Sequence, residues 1–154
     1  AFRDTPWEVV MACGGRVEPA SLGPAPANFL VRKHVPQLEV LPHTRVFLTH
    51  GGMNSTMEGL WYGVPMAFFP QFGDQHFNAS QVERLGMGIT LTPEDALSPR
   101  VLRETVERLD TDPAYRTRLA AFQQELREAG GHQRAADALQ QYVTSRQGTP
   151  RQTS

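Results

Sequence analysis

The fold is decided by residues 45–56, which read Arg45-Val46-Phe47-Leu48-Thr49-His50-Gly51-Gly52-Met53-Asn54-Ser55-Thr56. Residues 45–49, with the apolar run Val46-Phe47-Leu48 at their centre, predict a short β-strand that ends at His50. The two glycines that follow predict a tight turn, and the spacing of apolar residues in 54–62 predicts a helix. A strand, a glycine turn and a helix start in this order are typical of sites that hold phosphate groups.

The predicted helix start offers unpaired N–H groups and a partial positive charge, and both attract anions. The glycines carry no side chain, so a ligand can approach the backbone closely. Asn54, Ser55 and Thr56 add side-chain donors, and His50 can donate a hydrogen bond to a diphosphate oxygen. Taken singly, Asn54 or Ser55 could merely cap the helix, and His50 could merely end a strand. The ordered set favours a phosphate site.

Two common phosphate-binding patterns, Gly-Lys-Ser/Thr and Gly-x-Gly-x-x-Gly, do not occur here, so the turn must bind phosphate in another way. Glu58 lies one helical turn after Asn54, where it could accept hydrogen bonds from ribose hydroxyls. Asp74 and Gln75 open the next predicted helix and could hold vicinal hydroxyls of a sugar. The alternatives are an exposed surface glutamate at Glu58 and simple helix capping by Asp74.

Strands and helices alternate on both sides of this segment. Strands are also predicted at residues 7–12, 28–32, 65–70 and 88–91, and helices at 36–41, 74–85, 98–109, 113–128 and 133–145. Residues 65–70 are continuously apolar, as in a parallel strand that is covered on both faces. The order predicts an α/β fold with a Rossmann-like, mostly parallel sheet flanked by helices. We expect the helical C-terminal third to pack on that sheet rather than to form a separate subdomain.

Length and composition set the remaining limits. The 154 residues fit one domain, which we expect at 1–147, followed by a disordered tail at 148–154. A net charge of −1 argues against a nucleic-acid surface, and no apolar run is long enough to span a membrane. The single cysteine fits a reducing, cytoplasmic location. No cluster of His, Cys and carboxylates has the spacing of a metal site.

The spaced positions together resemble the signature of the family 1 UDP-glycosyltransferases, and particularly the bacterial macrolide and natural-product glycosyltransferases. The resembling positions are His34-Val35-Pro36-Gln37, His50-Gly51-Gly52-Met53-Asn54-Ser55-Thr56, Glu58-Gly59, Gly63-Val64-Pro65, Pro70 and Asp74-Gln75-x-x-Asn78-Ala79. The resemblance implies that nearly the whole chain is the C-terminal, donor-binding half of a two-domain GT-B fold. It also implies that the chain lacks the first strand of that domain, and that it was cut from a longer enzyme.

The resemblance assigns the nucleoside to one part of this signature. Position 34 is usually a tryptophan that stacks on the uracil ring, and His34 offers a smaller ring for that role. Val35 would contact the base through its backbone, and Gln37 would lie near the nucleoside. Glu58 would hold the ribose hydroxyls. These positions imply a UDP-sugar or dTDP-sugar donor, which is a co-substrate and not a cofactor.

The resemblance assigns the diphosphate and the sugar to the remaining positions of the signature. His50, Asn54 and Ser55 would hold the diphosphate at the turn that contains Gly52, with Thr56 nearby. The last two site residues, Asp74 and Gln75, would bind hydroxyls of the transferred sugar and favour a hexose such as glucose.

The resemblance further implies an inverting and metal-free transfer to a hydroxyl of a small-molecule acceptor. The catalytic base would be a histidine of a separate N-terminal, acceptor-binding domain, so we expect no catalytic base within this chain. His43, His76 and His132 are expected at the surface or in loops. His50 would stabilise the leaving diphosphate. We therefore expect this chain to bind the donor without efficient transfer on its own.

Two alternatives remain open on the sequence. The chain could be a stand-alone donor-binding subunit that works with a separate acceptor-binding chain, or a non-catalytic module that only binds nucleotide-sugars. A homodimer is one possible assembly, because truncation would expose one face of the sheet.

Overall fold

The computed structural model describes residues 1–147, with side chains described as far as residue 145, so the expected disordered tail at 148–154 lies outside the described residues. Strands and helices alternate as predicted. The elements in chain order are β1 (Val9–Ala12), β2 (Phe29–Arg32), α1 (Gln37–Val40), β3 (Phe47–Thr49), α2 (Met53–Tyr62), β4 (Met66–Phe68), α3 (Asp74–Arg84), β5 (Gly88–Thr90), α4 (Pro93–Ala96), α5 (Pro99–Thr111), α6 (Pro113–Glu128) and α7 (Gly131–Gln147).

Three differences separate these elements from the predicted ones. The strands are shorter than predicted, and short 3-10 turns occur at Pro19–Leu22 and Leu41–His43. Helix α4 was not predicted. It begins with a capping box in which Thr92 and Asp95 bond each other's backbone N–H groups.

The described strands pair in parallel throughout. β1 pairs with β2, and β3, β4 and β5 form a three-stranded sheet with β4 in its centre. Thr49 at the end of β3 lies opposite Phe68 at the end of β4. The carboxyl ends of these strands therefore share one edge, and α2 and α3 both begin just beyond it.

Strand β4 separates two apolar clusters. Met66 and Phe68 point into a cluster with α2, α3 and α6, while Ala67 points into a cluster with Leu91 and Leu109 on the opposite face. All three β4 residues are fully buried. The prediction of a continuously apolar strand covered on both faces is confirmed, because successive strand residues point to opposite sides.

The helical third follows the prediction in part. Helix α5 packs against β4 and β5, and α6 packs against α2. Helix α7 differs, because its described side chains are exposed, including Leu139 at 68% and Tyr142 at 56%. The change follows Gly130 and Gly131, whose positive φ angles of 76° and 50° redirect the chain. Within residues 1–147, no helix is long and apolar enough to cross a bilayer.

Candidate functional site

The glycine turn lies at the shared carboxyl edge of β3 and β4, between Thr49 and the start of α2. Its first residue, Gly51, has a φ of 84°, a conformation that residues with a side chain rarely adopt. Both backbone groups of Gly51 bond to buried side chains. Its N–H donates to the Thr49 hydroxyl at 3.3 Å, and its carbonyl oxygen accepts from the Asn78 amide at 2.9 Å. The turn is therefore fixed from both sides.

The turn also leaves little space for a side chain on either glycine. A Cβ atom on Gly51 would lie 3.2 Å from the carbonyl oxygen of Gln75 and 3.2 Å from the Phe68 ring. A Cβ on Gly52 would lie 2.7 Å from Nε2 of His50, so the exposed imidazole folds directly over the turn. This arrangement places a hydrogen-bonding ring beside open backbone, as the sequence predicted.

Helix α2 begins without a side-chain cap. Its N-cap residue is Gly52, and neither Asn54 nor Ser55 bonds the first-turn N–H groups. The simpler interpretation of these two residues as helix caps is therefore wrong. Uncapped N–H groups and the helix dipole together make this terminus suited to an anion. Asn54 is exposed and Ser55 half-buried, so both side chains remain near the open edge.

Thr56 lies on the other side of the same helix turn. It is 3% exposed, like its buried neighbours Gly59 and Leu60. Its hydroxyl oxygen is buried and bonds no atom of the described residues. Thr56 thus stands behind the residues that face the open edge, and not among them.

The segment after β2 reaches α2 through one side chain. The amide Nε2 of Gln37 donates to Oε2 of Glu58 at 2.5 Å and to the hydroxyl of Ser55 at 3.3 Å. These bonds bring two parts of the predicted site together across 21 residues of sequence. Next to this link, His34 is exposed and Val35 half-buried, with the His34 ring facing Gly15.

The third part of the predicted site is the start of α3. Its N-cap is Gly73 and no side chain caps it, so the interpretation of Asp74 as a helix cap is wrong. Asp74 is exposed, and its Oδ2 accepts from the Asn78 amide at 3.3 Å. Gln75 is only 5% exposed, and its side-chain oxygen accepts from the N–H groups of Gln71 and Phe72. Both of these bonds use the side-chain oxygen of Gln75, and neither uses its amide nitrogen.

Thr49 and Asn78 both hold the turn, and neither was predicted from the sequence to have a role in the site. Asn78 was part of the recognised signature, and its position four residues after Asp74 puts both on one face of α3. That spacing was the available signal. Thr49 gave none, because a threonine at the end of a strand is common.

A cavity of about 460 Å³ lies at the opposite edge of the sheet, away from the turn. Three arginines, Arg84, Arg108 and Arg118, line it. Arg84 and Arg108 stand in the last turns of α3 and α5, and Arg118 donates to the Gly86 carbonyl at 3.5 Å. Positive charges at helix C-termini complement the helix dipole, which accounts for this cluster without a ligand.

Comparisons with known proteins show the family to which the chain is related. The family model described as UDP-glucoronosyl and UDP-glucosyl transferase matches residues 1–124. The NDP-glycosyltransferase YjiC of Bacillus licheniformis is 46% identical over 143 residues, which is 93% of this chain. The chain spans only 36% of the length of that relative.

Solved structures show the same relationship. The calicheamicin glycosyltransferase CalG4 superposes with a TM-score of 0.87 at 41% identity, over 96% of this chain and 38% of that protein. The glycosyltransferase VinC, solved in complex with dTDP, superposes with a TM-score of 0.72 at 26% identity, over 80% of this chain and 31% of that protein. The Rossmann-like fold that the sequence predicted is confirmed.

Proposed function

Because the chain belongs to the UDP-glucoronosyl and UDP-glucosyl transferase family, we propose that residues 1–147 form the nucleotide-sugar donor domain of an inverting glycosyltransferase. One observation carries this proposal. The uncapped start of α2 at Gly52 lies under the His50 ring, and Gln37 holds Glu58 one helical turn further along. An anion site with an ordered carboxylate behind it suits a diphosphate joined to a ribose.

Each part of the proposed donor would bind to a different group of residues along the carboxyl edge of β3 and β4. The N–H groups at the start of α2, with His50, Asn54 and Ser55, would bind the diphosphate. Glu58 would accept hydrogen bonds from the ribose hydroxyls. His34 and Val35 would contact the base, as the family resemblance implies.

The sugar would lie toward the start of α3. Asp74 would accept from a pair of hydroxyls, and the amide of Gln75 would donate to one of them. A pair of polar groups suits a hexose with its hydroxyls intact. UDP-hexose is our preferred donor, and the dTDP bound to VinC keeps dTDP-sugars as a second choice.

The reaction of the intact enzyme would need groups outside this chain. A histidine of an acceptor-binding domain would remove the proton of an acceptor hydroxyl, and the resulting oxygen would attack the anomeric carbon. The bond from that carbon to the diphosphate oxygen would break with inversion, and its electron pair would leave with the diphosphate. His50 and the α2 N–H groups would stabilise that charge without a metal ion.

The acceptor and the setting are proposed from the relatives and from composition. CalG4 is named for calicheamicin, so a small natural product with a free hydroxyl is the acceptor class we propose. The single cysteine suits work in the cytoplasm.

Titration calorimetry with UDP, dTDP and UDP-glucose tests the donor proposal. We expect all three to bind, UDP-glucose most tightly, and uridine weakly. A folded chain that binds none of the nucleotides would overturn the proposal. Joining an acceptor-binding domain from a relative then tests the enzyme: binding without any transfer would favour a non-catalytic nucleotide-sugar module.

A further inference from the structure

Asn78 is buried beneath the predicted donor site and is 5% exposed. Its amide nitrogen donates to the carbonyl oxygen of Gly51 at 2.9 Å and to Oδ2 of Asp74 at 3.3 Å. A side-chain amide has two hydrogens, so these two bonds use its full donor capacity. One side chain thus joins the glycine turn to the carboxylate at the start of α3.

The first bond sets the direction of a backbone donor. In a planar trans peptide, the carbonyl of Gly51 and the N–H of Gly52 point in opposite directions. Because Asn78 holds the carbonyl on the buried side, the N–H of Gly52 is turned toward the open side. That side is where the His50 ring lies and where a diphosphate would bind.

The second bond orients a carboxylate. Oδ2 of Asp74 is held by Asn78, so the exposed carboxylate has one oxygen fixed before any ligand arrives. Its other oxygen is then free to accept from a sugar hydroxyl. A pre-positioned acceptor loses less entropy on binding than a mobile one.

We propose that Asn78 is a positioning residue that couples the diphosphate turn to the sugar-binding carboxylate, without touching the donor itself. This inference rests on the proposed donor function and deepens it. The diphosphate and the sugar are then recognised by one connected unit, since a shift of the turn would move the Asp74 carboxylate through the shared amide.

A double-mutant cycle on the full chain tests the coupling. Asn78→Ala, Asp74→Ala and the double variant are compared by calorimetry with UDP and UDP-glucose. We expect Asn78→Ala to weaken UDP binding about tenfold through the turn, and UDP-glucose binding by a larger factor. Asp74→Ala should then weaken UDP-glucose binding by a smaller factor in the Asn78→Ala background than in the wild-type chain. Ser80→Ala, on the exposed side of α3, is the matched control and should change neither affinity.

Additive effects of the two substitutions, or equal losses for UDP and UDP-glucose, would overturn the coupling while leaving the donor function intact. If Asn78→Ala does not fold, Asn78→Ser replaces it. The serine hydroxyl can donate only one of the two bonds, so part of the loss should remain.

A second measurement needs no ligand. Asn78→Ala should shift the NMR resonances of the Gly51 and Gly52 amides and of the Asp74 carboxyl group, whereas Ser80→Ala should not. Unchanged resonances would overturn the positioning role even if nucleotides bind. If the wild-type chain binds no nucleotide, the donor function fails, and with it the coupling, whatever the resonances show.

Discussion

The side-chain amide of Gln37 donates a hydrogen bond of 2.5 Å to the carboxylate of Glu58. The bond joins the segment after β2 to the middle of α2, and a weaker bond to Ser55 supports it. Glu58 is thereby oriented in the absence of a ligand. An isolated glutamate on a helix surface would instead sample several rotamers and would lose that freedom on binding.

Glu58→Ala should weaken UDP binding by about 10- to 100-fold, because a hydrogen bond to a charged carboxylate contributes about 1.5–3 kcal/mol. The loss should be smaller for 2′-deoxy-UDP, which offers one ribose hydroxyl fewer. Calorimetry with both ligands measures this difference. Gln37→Ala should act in the same direction but more weakly, since it frees the carboxylate without removing it. Equal losses for the two nucleotides would show that Glu58 does not read the ribose.

His50→Ala should weaken the binding of UDP by about 10- to 100-fold, as expected for a charge-assisted hydrogen bond to phosphate. Uridine has no phosphate, so its affinity should change little. His43→Ala removes an exposed histidine outside the site and serves as the control. A phosphate role for His50 is ruled out by the same loss for UDP and uridine.

Gly51→Ala should destabilise the fold more than Gly14→Ala. Both glycines have a similar positive φ, of 84° and 77°, and a left-handed alanine costs about 1–2 kcal/mol. Apart from its chain neighbours, no atom of the described residues lies within 4 Å of a Cβ built on Gly14, whereas a Cβ on Gly51 would meet the backbone of Gln75 and the Phe68 ring. Forcing a methyl group into that contact should add about 1–3 kcal/mol. Urea denaturation gives both free energies of unfolding; similar values would mean that the turn can yield.

Asp110→Asn should lower the free energy of unfolding by about 1 kcal/mol, with a smaller loss at about 1 M salt. The Asp110 side chain is 10% exposed and receives bonds from Arg45 at 2.7 Å and Arg116 at 3.1 Å. Glu104→Gln breaks the exposed pair with Arg100 and should cost less.

The ion pair between Arg45 and Asp110 also leads to a prediction about the pH dependence of stability. The hydrogen bond from Arg45 to Asp110, together with their opposite charges, raises the pKa of Arg45. A raised pKa gives stability that is present below the unfolded-state pKa and is lost only as pH rises through the still higher folded-state pKa. For arginine both lie in strongly alkaline solution. The effect of Asp110→Asn should therefore be constant from neutral to mildly alkaline pH.

Local patterns were sufficient where local physics decides the structure. The prediction for α6 matches the observed Pro113–Glu128, because Asp112 caps the helix and the proline fits its first turn. The strand β4 was recognisable from its unbroken apolar run. The strand, turn and helix around Gly51 were also predictable from local patterns, namely the apolar spacing and the two glycines.

Pairings over long separations and the faces of polar residues were not predictable. The bond from Asn78 to Gly51 spans 27 residues, and no periodicity encodes it. Thr56 and Gln75 belong to the signature, yet both are buried. Residue type indicates that a hydrogen bond is needed, but the packing of neighbouring elements decides whether its partner is a ligand or the protein.

The pairing of Thr49 with Phe68 determines the distance between the starts of α2 and α3. Helices α2 and α3 each start a few residues beyond one of these two positions. The register of β3 against β4 therefore sets how far apart the two helix N-termini lie. A slip of one residue would move one terminus by about 3.3 Å, more than a hydrogen bond tolerates. It would also turn Met66 and Phe68 into the wrong apolar cluster. In the proposed donor site, the strand register in the core would therefore set how far apart the groups for the diphosphate and for the sugar lie.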